Sequence, residues 1–236
     1  MLREAIKATP IVGPALRKLL ARIRKRRFSS KRYWDERYRQ GGNSGAGSYG
    51  KLADFKAEVI NRFIREYGVQ SVVEFGCGDG NQLSLLRCNK YVGLDVSRRA
   101  IQVCRERFAA DPSKRFAVYG SGSAAPGAYL SDLALSLDVI FHLVEDDVFT
   151  AYMRTLFENA SRLVIVYSDD RDLEYLESIE EHVRHRKFTD WIGANCPAWR
   201  LLEHIPNRFP LADRFSPDGK TGSGSFADFW IYERKS

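Results

Sequence analysis

Apolar positions along this chain fall into two alternating rhythms. Between residues 51 and 67, Leu52, Phe55, Val59, Ile60, Phe63, Ile64 and Tyr67 recur at helical spacing, which predicts an amphipathic helix that Gly68 ends. Shorter continuous apolar runs then appear at Val72–Phe75, Tyr91–Leu94, Phe116–Tyr119, Leu133–Ser136 and Leu163–Ser168. Their length and β-branched content predict buried strands. Helices are expected between them: from the segment after Gly80 to about Arg87, from the N-cap Ser97 to before Pro112, and from Glu145-Asp146-Asp147 to about Arg162. Trp199–Ile205 and Phe226–Tyr232 alternate as two further strands, and the proline- and glycine-rich segment Pro206 to Ser225 joins them.

One junction carries most of the chemistry. Val72-Val73-Glu74-Phe75-Gly76-Cys77-Gly78-Asp79-Gly80-Asn81 ends an apolar strand in an acid and then places glycines at alternate positions. A loop without side-chain bulk at Gly76, Gly78 and Gly80 lets a ligand approach the backbone, and a helix N-terminus beyond it would offer free N–H groups. The dinucleotide fingerprint G-x-G-x-x-G is not met, because Asn81 stands where its third glycine belongs. Nineteen residues after Gly76, the second strand closes on Asp95, an acid placed to take the ribose hydroxyls of a nucleoside.

The E-x-G-x-G-x-G motif at Glu74–Gly80, with Asp95 at the tip of the next strand, resembles the class I S-adenosylmethionine-dependent methyltransferases over roughly residues 33–236. The resemblance implies a Rossmann-like α/β fold: a doubly wound, mostly parallel seven-stranded sheet with an antiparallel last strand and helices on both faces. It implies S-adenosylmethionine as cofactor, held by Glu74, Gly76, Cys77, Gly78, Gly80, Asp95, Val96 and Ser136. Tyr33 and Tyr49 are added from the aromatic and glycine-rich segment 33–50, expected to be a lid.

The stretch Ser136-Leu137-Asp138-Val139-Ile140-Phe141-His142 is similar to the family's S-x-E-V-x-x-H pattern. It nominates His142 as the base that takes a hydroxyl proton and Asp138, four residues earlier, as its neighbour in one cavity. Asp138 could orient the acceptor, orient His142, or join Asp169 and Asp170 around Mg2+. The Asn/Asp-Pro-Pro-aromatic motif of nucleic-acid amino methylation is missing, so no nucleic-acid partner is expected. The general resemblance is to enzymes methylating hydroxyls of saccharides and other small molecules. A lipid or natural-product acceptor, methylated on O, N or carboxylate, and a non-catalytic cofactor-binding subunit are the alternatives. The acid that many methyltransferases place after the third strand is replaced by Gly120–Pro126, and Trp191 and the basic His182–Lys187 segment are candidate substrate contacts.

Charge refines the picture. The 236 residues carry a net +7, but residues 1–32 hold eleven Lys/Arg against Glu4 alone, so the remainder is net −3. A mildly acidic body does not track a phosphate backbone. Residues 10–27 read as a basic amphipathic helix suited to an anionic membrane surface or a partner protein, within a basic N-terminal extension 1–32. Four cysteines without C-x-x-C spacing suit a reducing compartment, and the protein is expected to be cytoplasmic, peripheral to the inner membrane face, with a homo-oligomer left open.

Overall fold

The computed structural model describes residues 28–120, 127–171, 181–211 and 224–235. The expected amphipathic helix at 10–27 and most of Gly120–Pro126 lie outside these residues, as does most of Pro206–Ser225. The chain opens with helix α1 (Ser30–Arg39) and α2 (Gly50–Glu66). Strands β1 (Ser71–Phe75), β2 (Lys90–Asp95) and β3 (Lys114–Val118) follow, with α3 (Arg98–Arg107) between β2 and β3. Then come β4 (Ser131–Leu137), α4 (Asp146–Glu158), β5 (Ala160–Ser168), α5 (Phe188–Asn195), β6 (Trp199–Ile205) and β7 (Asp228–Arg234).

The seven strands form one sheet in the order β3-β2-β1-β4-β5-β7-β6. β7 alone runs antiparallel to its neighbours β5 and β6. The doubly wound, mostly parallel architecture with an antiparallel last strand is therefore the observed one. Period-two alternation within the strands produces the two cores. Val72, Leu133, Leu135, Ile165 and Tyr167 pack with Phe55, Ile60 and Phe63 of α2. Val73, Phe75, Ala134, Val164 and Val166 pack with Met153 and Leu156 of α4 and Phe188 of α5. The central strands β1, β4 and β5 are apolar on both faces because helices cover both.

The expected helix after the glycine loop does not form; Leu83–Leu85 make only a short 3-10 turn. Nine residues separate Gly80 from Lys90. They must run back along a five-residue strand, about 16 Å at ~3.3 Å per residue. Seven helical residues would cover about 10 Å at ~1.5 Å each, so the segment is extended after one turn. Leu83 and Leu86 are buried, and α2 caps the turn: Asn61 Nδ2 donates to the Leu85 carbonyl (2.9 Å) and its Oδ1 accepts from Arg87 N (2.8 Å). The helix starting at Asp146 stops at Glu158, not near Arg162. Asn159, wholly buried, accepts from Tyr129 N on Oδ1 (2.8 Å) and from Ser131 N on its carbonyl (3.0 Å), which turns the chain into β5.

Asn61→Ala deletes both caps of the 3-10 turn. It should lower unfolding stability by about 1–2 kcal/mol, read as a shift of the urea midpoint without a change in slope.

Candidate functional site

β1 and β4 are adjacent and parallel, and the chain leaves them toward opposite sides of the sheet. Their carboxyl ends therefore bound the crevice in which open α/β sheets hold ligands. Out of β1 comes the glycine loop. Gly76 has φ 86° and Gly78 φ 57°. A Cβ on Gly76 would collide with Val139 Cγ2, and one on Gly78 with Ser44 Oγ, with Tyr38 Oη at 2.8 Å. Both conformation and space therefore demand glycine at these two positions. Asp95 fastens the loop: Gly78 N donates to Oδ2 (3.0 Å) and Ser97 N to Oδ1 (2.8 Å). Burial pushes the Asp95 carboxyl up to about 6 despite those donors.

The segment before α2 folds over this loop. Ser44 N and Tyr49 Oη donate to Asp79 Oδ2 (3.1 and 2.7 Å), and Asp79 N donates to Ser44 Oγ (3.0 Å). Tyr38 of α1 reaches the same Ser44 Oγ at 2.9 Å. α1 is anchored in turn by Ser30, whose N and Oγ donate to Glu145, the N-cap residue of α4.

Beneath this cover lies a cavity of about 230 Å³. Glu74, Gly76, Cys77, Gly78, Asp95 and Val96 line it, with Asp138 and His142 on the β4 side. Four expected cofactor residues do not. Gly80 sits behind the loop, with Phe108 Cε2 2.8 Å from where its Cβ would be. Ser136 is fully buried and accepts from Tyr152 Oη (2.7 Å), because an inward side chain near the end of a central strand meets α4 and not the crevice. Tyr33 stacks on His182 at 4.5 Å, and Tyr49 is occupied by Asp79. Trp191 is half-buried, packs edge-on against Phe149 beside the second core, and does not line the cavity.

The cavity also contains residues that periodicity concealed. Lys56, on the apolar face of α2, is 0% exposed, and its Nζ donates to Asp138 Oδ2 at 2.6 Å. Trp34 and Tyr38 of α1 complete the wall. A lysine in register with Leu52, Val59 and Phe63 was the available signal.

His142 closes a 3-10 turn directly after β4. Its Nδ1 lies 3.0 Å from the His182 carbonyl oxygen, which can only accept, so Nδ1 carries the proton and Nε2 bears the lone pair. Trp34, Phe141 and His182 surround the ring. Burial lowers its pKa to about 3, so the imidazole is neutral at physiological pH.

The expected Mg2+ donors are not gathered. Asp138 is held by Lys56, Asp169 contacts His185 and Arg171, and Asp170 accepts from Thr189 N and Oγ1 (2.9 and 2.7 Å). Among the described residues no three His, Cys, Asp or Glu side chains are arranged to hold a metal ion. The three carboxylates do not fit a shared cation, because each is engaged by a separate set of basic or hydroxyl neighbours and they are not brought together.

Residues 72–162 match the family model described as a methyltransferase domain. No curated protein sequence matches the chain. Several solved structures share its fold. The methyltransferase domain of bacterial CtHen1 superimposes with a TM-score of 0.58 at 19% identity, over 79% of this chain and 100% of that one. Magnesium protoporphyrin IX methyltransferase from Synechocystis PCC 6803, with bound S-adenosylmethionine, gives 0.60 at 13% identity over 88% and 98%. The N-methyltransferase NodS from Bradyrhizobium japonicum WM9, in complex with S-adenosyl-L-homocysteine, gives 0.60 at 14% over 78% and 88%. At such identities the likeness is one of fold.

Glu74 is the clearest electrostatic probe of this site. It is 2% exposed, accepts from Tyr91 Oη (2.6 Å), and burial pushes its carboxyl up to about 7. A raised folded-state pKa means the ionised form is disfavoured on folding. The penalty is absent below the unfolded value near 4 and full above 7, where it reaches about 3 kcal/mol. Glu74→Gln removes it, so in ligand-free protein the variant's stability relative to wild type should be more favourable at pH 8 than at pH 5. Equal differences at the two pH values in denaturant titrations would contradict the assignment.

Proposed function

We propose that this class I S-adenosylmethionine-dependent methyltransferase transfers its methyl group to a hydroxyl of a saccharide or related small molecule. The observation that carries the reading is the His142 imidazole. Nδ1 is committed to the His182 carbonyl, which leaves the lone pair on Nε2, and His142 is among the residues that line the cavity. S-adenosylmethionine, when bound, would supply an electrophilic methyl carbon to the acceptor oxygen, the sulfur–methyl electron pair returning to sulfur. The hydroxyl proton passes to His142 Nε2. Asp138 orients the acceptor, and Trp34 supplies an apolar ring on the same wall, as saccharide recognition needs.

Glu74, Gly76, Gly78, Asp95 and Val96 would hold the cofactor. Residues 33–50 act as its lid in this reading, supported by the Ser44–Asp79 bonds that fasten them over Gly78. The acidic chain body supports a small acceptor over a nucleic acid. Among the described residues no helix is long and apolar enough to cross a membrane. Contact of residues 10–27 with a membrane surface or a partner protein is proposed from their basic amphipathic pattern.

The test is transfer from methyl-labelled S-adenosylmethionine to a panel of mono- and oligosaccharides. Label in a saccharide supports the reading; cofactor binding without transfer to any saccharide defeats it and directs attention to lipid and natural-product acceptors. With an active acceptor, His142→Gln should reduce kcat by about 10²–10⁴-fold and leave S-adenosylhomocysteine affinity unchanged. Because burial holds His142 neutral down to about pH 3, the wild-type to variant rate ratio should be constant between pH 5.5 and 8. A base titrating at its ordinary value would make that ratio fall below pH 6.5.

A further inference from the structure

The geometry points to Lys56 as a positioning residue for methyl transfer, acting on the acceptor through Asp138. This rests on the reading above that Asp138 orients the acceptor hydroxyl. Lys56 lies on the α2 face that buries Leu52, Phe55, Val59, Ile60 and Phe63 and is itself 0% exposed. An ammonium in that place loses its hydration, and a buried ion pair is commonly no more stabilising than an apolar pair of equal volume. Packing alone therefore does not call for a lysine there. Its Nζ sits 5.3 Å from the centre of the Tyr167 ring and donates to Asp138 Oδ2 at 2.6 Å.

Asp138 is unusual in its own right. Among the described residues it is the one non-glycine with positive φ, at 58°. Such a backbone costs about 1 kcal/mol or more and persists where surroundings hold it. Three contacts hold it here. Its N–H donates to the Tyr167 carbonyl at 2.9 Å, Lys56 takes Oδ2, and Gly47 of the cover presents no side chain where a Cβ would stand 2.8 Å from Oδ2. All three engage the backbone or Oδ2. Oδ1 accepts no hydrogen bond from the described residues, and the side chain keeps 19% of its surface exposed on the cavity wall.

Lys56 thus fixes one carboxylate oxygen from the protein side and leaves the other for the acceptor, close in sequence and on the same wall as His142. A neutral side chain at 56 would free Asp138 to turn, and the acceptor hydroxyl would lose its second contact.

The experiment is a double-mutant cycle with Lys56→Met, Asp138→Asn and the combined variant, using the saccharide most rapidly methylated in the panel. Each protein is characterised by thermal midpoint, S-adenosylhomocysteine affinity by calorimetry, and separate kcat and acceptor KM. Each single variant should lose about 100-fold in acceptor kcat/KM, with S-adenosylhomocysteine affinity within about threefold of wild type. The combined variant should be no worse than the poorer single one, because both changes break one device. Lys56→Gln, which retains a donor, should recover part of the loss and replaces Lys56→Met should that protein fail to fold. Multiplicative losses, unchanged activity of Lys56→Met, or parallel loss of S-adenosylhomocysteine binding would each overturn the positioning role. Wild-type protein inactive on every saccharide would instead defeat the hydroxyl reading, and the acceptor role of Lys56 with it.

Discussion

The site depends on a steric constraint at the carboxyl end of β1. Gly76 and Gly78 turn through positive φ with Val139 on one side and Ser44 and Tyr38 on the other. The absence of two side chains there lets the chain leaving β4 and the segment before α2 close on the same point. Asp95 then locks the loop from β2 by accepting Gly78 N–H. Strand, loop and cover are one assembly, and a methyl group at either glycine would push the layers apart.

Within that assembly the dominant electrostatic influence is burial. Glu74 and Asp95 are raised and His142 is lowered, each with desolvation as the largest cause. The shifts go in opposite directions on charge but share one reason: a cavity poorly reached by water disfavours every isolated ion. Lys56 and Asp138 meet the same condition by pairing. Glu74, Asp95 and Asp138 line one enclosure, the last of them already paired with Lys56.

The structure also separates acids by role. Asp79 is a fastener, gripped by Ser44 and Tyr49. Asp169 and Asp170 share the carboxyl edge of the sheet with Asp138, yet each is satisfied by neighbours from the 185–189 segment. Position at a sheet edge brings carboxylates near a site; partners arriving from distant parts of the chain decide whether they remain available.

Elements whose cause is local or periodic can be read from the chain alone. Buried strands are legible as apolar runs, α2 as a three-four repeat, α3 from the Ser97 cap, and the cofactor loop from glycines that local conformation requires. Asp95 was legible because its distance from the loop is fixed by one strand–turn–strand unit. The other features depend on contacts between segments far apart in the chain. The missing helix after Gly80 follows from the span back to β2 and from Asn61 on another element. Ser136 was lost to Tyr152, and Tyr33 to His182, because side-chain direction depends on what packs overhead. Lys56 was hidden since its partner lies 82 residues away, and pairing at that range has no signature in spacing.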